Sequence, residues 1–186
     1  GGLVDTLISS LTTLGISMPV YVIGTIFVLV FSLQWGIFPA GGYATLEANP
    51  VGHFQRLVLP AIALSFGIGS VVARMTRSAV LETVAQDWVR TARSQGLPRA
   101  QVFRRHVIRN SLTPVVTTLG LEIGTLLGST VLIERVFTWP GMGSLLIDAV
   151  NARDYPVVQG IVIVIAALFI LINLIVDLLY GVLDPR

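Results

Sequence analysis

The chain has 186 residues, 54% of them hydrophobic and only 12% charged, with a mean hydropathy of +0.83 and a net charge of +2. A soluble domain carries about twice that charged fraction, so the composition argues against an ordinary soluble fold and for the bilayer. Cysteine is absent, which removes disulfides, thiolate metal sites and cysteine nucleophiles, and His53 and His106 stand too far apart to read as a ligand pair.

A helix needs about 20 apolar residues to cross the hydrocarbon, and four stretches qualify, at approximately 7–33, 57–80, 112–133 and 157–183. The first contains Pro19 and Gly24, tolerable where neighbouring helices satisfy the freed backbone groups. The second starts near Pro60 and ends on Arg74 and Arg77, which are expected to snorkel. In the third, Thr113 and Pro114 read as an N-cap and first-turn pair. The fourth is the most apolar. The opening Gly-Gly, without Met or a signal-peptide layout, leads us to expect a segment of a longer chain whose remainder lies N-terminal.

Charge orients these spans. Lysine is absent, and eight of the twelve arginines fall between positions 74 and 109. An arginine at the bilayer centre costs roughly 2.5–3.5 kcal/mol on insertion scales, so the 81–110 loop belongs in water. The positive-inside rule puts that loop in the cytoplasm, makes loops 34–56 and 135–156 external, and leaves both ends of the segment cytoplasmic. Trp35, Tyr43, Trp139 and Tyr155 then fall in the external loops, as interfacial aromatics do. Positions 143–152 read as a short external helix with Leu145, Leu146, Ala149 and Val150 on one face.

Within the arginine-rich loop, Leu81, Val84, Ala85, Trp88, Val89 and Ala92 mark one face of a helix over 81–95. Glu82, Gln86, Arg90 and Arg93 take the other face, and Asp87 can pair with Arg90 at i+3. Gly96 followed by Leu97-Pro98 is a helix stop, and a second helical run over 99–110 leads into the third span. Such a helix can lie on lipid headgroups through its arginines or offer its apolar face to a soluble partner's groove. Nucleic acid is disfavoured, because no aromatics interleave the arginines.

Asp87-Trp88-Val89-Arg90-Thr91-Ala92-Arg93-Ser94-Gln95-Gly96-Leu97, followed by Arg105-His106-Val107-Ile108-Arg109-Asn110-Ser111-Leu112-Thr113-Pro114, resembles the EAA loop of binding-protein-dependent ABC importer permeases. The dipeptide/oligopeptide/nickel group is the nearest. Gly36-Ile37-Phe38-Pro39-Ala40-Gly41-Gly42-Tyr43, Phe137-Thr138-Trp139-Pro140-Gly141-Met142-Gly143, Ala152-Arg153-Asp154-Tyr155-Pro156-Val157 and the closing Leu183-Asp184-Pro185-Arg186 resemble the same group, in the same order. No literal Glu-Ala-Ala stands in the loop, though Ala92 and Gly96 occupy matching positions.

The resemblance implies an all-α integral membrane protein, the transmembrane domain of a type I ABC importer, with four of about six spans in this segment. It implies a coupling helix over about 84–95, with Ala85, Trp88, Val89, Ala92 and Gly96 docking an ATPase subunit and Asp87, Arg90 and Arg93 as polar contacts. The implied partners are a second homologous permease, two ATP-binding subunits that carry ATP and Mg, an extracellular or periplasmic solute-binding protein, and lipid. The implied location is the cell (inner) membrane, and the implied cargo is di- or oligopeptides, with nickel chelates and glutathione-like compounds also handled by such permeases.

Catalytic machinery is not legible. Without lysine there is no P-loop, and no Gly-x-Ser-x-Gly elbow or carboxylate pair in a soluble cleft stands in for it, so an enzyme is disfavoured and no cofactor is expected on this chain. In the third span Gly120, Gly124 and Gly128 form a small-residue ridge for close helix approach. Glu122 lies roughly 200° round the wheel from Gly120, and an intramembrane carboxylate is a translocation-pathway candidate. Asn173 and Asp177 lie one turn apart in the fourth span and read as packing groups. Two rivals follow: an ion-coupled secondary transporter or channel using Glu122 and Asp177, and a membrane scaffold that moves no solute.

Overall fold

The computed structural model describes residues 2–183, apart from the side chains of Arg93, Leu127, Asp177 and positions 179–183. Among the described residues every regular element is helical. The third helix, α3 (Pro50–Ala85), sets the frame. It starts where the Asn49 side chain accepts from the Gly52 amide at 2.8 Å, with Pro50 at the first turn, where a missing N–H costs nothing. At 1.5 Å per residue its 36 residues extend about 54 Å, well past a hydrocarbon core of about 30 Å. The last long helix, α8 (Tyr155–Leu183), carries Ile163 and Ile170 at 68% and 66% exposure, an outward apolar face that suits lipid. These two are long and apolar enough to cross by themselves, and the count reaches four where each of two bent helix pairs is one span.

The first bent pair replaces the single helix expected over 7–33. Helix α1 (Leu3–Ser17) stops, and α2 (Val20–Phe27), prolonged by a π-helical stretch Val28–Gln34, leaves at 109° to it. Pro19 is the cause: a residue before proline is pushed out of the α region, and Met18 is extended at φ −96° and ψ 130°.

The second bent pair contains the expected third span. From Arg99 the chain runs through α5 (Arg99–Val102) and a π-helical turn Phe103–Val107 into α6 (Ile108–Val136), bending by 52° between Leu126 and Gly128. The helix has already begun near Pro98, so Thr113 and Pro114 lie inside it and are not its cap.

Ile23, Leu59, Ala63, Ile133 and Phe137 form the buried core that joins α2, α3 and α6. Gly15 of α1 presses on Ser70 of α3. The arginines expected to snorkel are instead used: Arg77 grips the Asp5 carboxylate with two bonds of 3.1 and 3.2 Å, and Arg74 donates to the Thr13 hydroxyl at 3.4 Å. The short helix α7 (Met142–Asn151) lies at the other end of α6.

Candidate functional site

At the arginine-rich end the helix expected over 81–95 is two helices. Gln86 is extended at φ −65° and ψ 144°, and α4 (Asp87–Ser94) begins after it, with the Gln86 carbonyl accepting from the Val89 amide at 3.1 Å. Tertiary packing explains the break. Val89, Val102 and Val107 are buried to 1% exposure or less, with Val80, Val84, Ala92 and Leu97 packed around them. A straight continuation of α3 would carry position 89 out into water.

The consequence corrects the expected docking face. Val89 faces its own chain and anchors α4, and Ala92 is half-buried against the same cluster. Ala85, Asp87, Trp88, Arg90 and Gly96 are exposed. The Trp88 ring meets the edge of His106 at 6.3 Å between centroids, and Asp87 and Arg90 come within 4.0 Å. Gly96 has φ +82° with open space around its Cα, so it is required for its backbone and not for room. The Arg93 side chain lies outside the described residues.

At the opposite end α7 is held by polar groups. The Glu134 carboxylate of α6 accepts from the Ser144 amide at 2.8 Å, which places a negative group on the N-terminus of α7. Arg135 pairs with Asp148, and Gly143 backs so closely onto Val131 that a Cβ would lie 2.5 Å from its Cα. The buried face of this helix holds Gly143 and Ala149, while Leu145 and Val150, expected on the apolar face, are 52% and 55% exposed. Close approach of glycine to α6 wins over burial of larger side chains. Sequence reasoning also missed the cluster of Tyr43, His53 and Trp139, whose ring centroids lie 5.1–5.8 Å apart. Its only local signal is turn chemistry: Gly41 and Gly42 let the loop reach Phe137, whose carbonyl accepts from the Gly42 amide at 2.9 Å.

In the middle, the glycine ridge is used in part. Gly120 backs onto Val176 and Gly124 onto Phe169, where a Cβ would lie 2.7 Å from the ring, so α6 and α8 meet through them. Gly128 has nothing within 4 Å of such a Cβ. On another side of α6, Glu122, Thr125 and Ser129 line a cleft of about 180 Å³, together with Gly15 and Val20 at the α1–α2 break and Gly67 of α3. Asn173 is half-buried, and the Asp177 side chain lies outside the described residues, as does the 184–186 ending.

Apolar helices, two pairs of them sharply bent, with a glycine-terminated short helix among arginines and a carboxylate-lined cleft, describe a multi-pass helical membrane protein. The chain belongs to the family described as binding-protein-dependent transport system inner membrane component, which matches residues 1–186. It is 40% identical over 209 aligned residues to the dipeptide transport system permease protein DppB of Escherichia coli K12, covering 100% of this chain and 62% of that protein. To the di/tripeptide transport system permease protein DppB of Pseudomonas aeruginosa it is 43% identical over 206 residues, covering 100% and 61%. The glutathione transport system permease protein GsiC of Salmonella paratyphi A is 40% identical over 181 residues, covering 97% and 56%. The chain thus spans about three-fifths of the length of the curated relatives it matches. The family and these relatives support the resemblance to ABC importer permeases of the dipeptide/oligopeptide group.

Proposed function

We propose that this chain forms the translocation pathway of an ATP-driven importer for di- or oligopeptides, and that α4 with its Gly96 turn is the element through which ATP-binding subunits move it. The observation that carries the reading is the build of residues 87–96. A short helix is anchored from behind by Val89, left polar in front by Asp87 and Arg90, and ended by a left-handed glycine. The arginines around it favour a cytoplasmic position for this end by the positive-inside rule, where ATP is. Trp88 and Ala85 supply the exposed apolar contact, and a partner groove that takes a short helix needs such anchors.

The mechanism follows from continuity of the chain. A push on α4 reaches α3 across the single extended residue Gln86, and reaches α6 through the valine cluster and the helical run from Arg99 to Leu126, ahead of the 52° bend. Helices α3 and α6 also share the core around Leu59, Ala63 and Ile133, so they would tilt together as a rigid-body switch between inward-open and outward-open packings. A second permease, two ATP-binding subunits and a solute-binding protein complete the assembly, with ATP and Mg held by those partners.

The test is copurification and uptake. The full-length permease with its partner subunits should lose ATPase copurification with Trp88→Glu or Gly96→Asp and retain its membrane level. Uptake of trialanine into proteoliposomes should stop when ATP is withheld. Uptake that survives ATP depletion, or full copurification by both variants, would contradict the proposal and favour the ion-coupled rival.

A further inference from the structure

The cleft at Glu122 has a chemistry that the importer reading alone does not specify. Its carboxylate sits in the middle of α6, half-buried, and among the described residues it meets no arginine; its one polar contact is the Thr125 hydroxyl at 3.4 Å. A carboxylate left in a bilayer without a cation is expensive, so it needs water or a positive partner. Of the hydroxyls beside it, Ser129 donates to the Thr125 carbonyl at 3.1 Å, while Thr125 can donate to the Glu122 carbonyl at 2.9 Å or to its carboxylate. Each oxygen keeps lone pairs free for a donor in the cleft.

The facing wall comes from the α1–α2 break and from α3. Gly15 lines the cleft at the end of α1, and the residue four further on is Pro19, so the Gly15 carbonyl has no helical amide to accept from. Gly67 of α3 leaves its part of the wall open, with nothing within 4 Å of a Cβ built there. Carboxylate and hydroxyl oxygens are acceptors. The polar side of the cleft thus asks for a ligand that is positive and rich in donors, and the rest of its side-chain lining, Ile16, Val20, Leu64, Ile68, Val71 and Leu126, accepts an apolar neighbour.

We infer that Glu122, Thr125 and Ser129 form a transient site for a primary ammonium group, the α-amino end of a peptide in transit. The inference rests on the importer reading for the cargo, and its test separates the two. Because positions 1–186 contain no cysteine, Thr125→Cys can be probed in the assembled importer in proteoliposomes with three methanethiosulfonates: aminoethyl (primary ammonium), trimethylammonioethyl (cationic without N–H donors) and sulfonatoethyl (anionic). Full-length chain thiols outside this stretch are first replaced by serine.

With each rate divided by that of the same reagent with free 2-mercaptoethanol, aminoethyl reagent should react about tenfold faster than sulfonatoethyl, the ratio for opposite unit charges about 6 Å from a carboxylate in a near-aqueous cleft. That ratio should fall to near one with Glu122→Gln, and the trimethylammonio reagent should fall between the other two. Ser129→Cys, one turn along α6 in the same cleft, serves if Thr125→Cys fails to fold. Equal rates for all three reagents, no reaction at either position, or a ratio unchanged by Glu122→Gln would overturn the site, the last two pointing to a dry packing carboxylate or to another source of charge. ATP-dependent trialanine uptake by proteoliposomes of the importer with Glu122, Thr125 and Ser129 unchanged reads the importer separately: uptake there with flat thiol rates removes only the ammonium site, whereas a tenfold ratio without ATP-dependent uptake there removes only the importer.

Discussion

The two ends of the molecule hold their short helices by opposite means. Helix α4 is fastened by an apolar plug of three valines, and its Asp87 and Arg90 side chains are highly exposed. Helix α7 is fastened by polar links, Glu134 to the Ser144 amide and Arg135 to Asp148, over a glycine-thin contact with Val131. An apolar plug fixes position but not direction, because dispersion and burial are non-directional. Hydrogen bonds fix direction. In the importer reading, α4 is a knob that must swivel in a partner's socket as α3 and α6 tilt, while α7 is a bracket that must keep its angle to α6.

That contrast can be broken in order of size. Placing a charge in the plug with Val89→Asp should cost about 3–5 kcal/mol locally, as an uncompensated buried charge does. Hydrogen exchange should then show residues 87–107 opening while α7 keeps its protection; equal loss at both ends would show that the ends are not independent. Gly143→Leu drives a side chain into the Val131 backbone and should cost about 1–3 kcal/mol, lowering the thermal midpoint and loosening α7 while α4 remains protected.

Gly96→Ala tests the turn. Space is free, so the only penalty is the left-handed backbone, about 1–2 kcal/mol; ATPase copurification should weaken and the thermal midpoint of the permease should fall by a few degrees. Glu134→Gln removes charge at the N-terminus of α7 while keeping an acceptor, and should cost about 0.3–1 kcal/mol, read as a small drop in midpoint that salt reduces. Smallest is Arg90→Ala. Its pair with Asp87 is highly exposed, so stability should change by less than about 0.5 kcal/mol, and any larger effect should appear only in binding of the ATPase.

Periodicity and charge made much of this legible. Apolar stretches give approximate helix positions, and Gly96 announces its own left-handed turn because glycine before Leu97-Pro98 has few other uses. Local pattern could not show that Val89 turns inward, since the valines it meets lie 13 and 18 positions later and only the folded loop brings them together. The same holds for Asp5 with Arg77, and for the rings of Tyr43, His53 and Trp139. The break at Pro19 was visible as a proline but not as a 109° turn, because a membrane helix can carry proline with a mild kink where neighbours repair the hydrogen bonds. Glu122 could be placed on a face by the wheel, whereas the cleft it lines required the α1–α2 break to be seen.

The most direct test is a thiol at the tip of the knob. In the assembled full-length importer, with other thiols of the permease replaced, Trp88→Cys should cross-link through a short bifunctional maleimide to an ATP-binding subunit, and ATP should change the yield. A cross-link formed only with the solute-binding protein, or with no protein at all, would contradict a cytoplasmic docking role for residues 87–96.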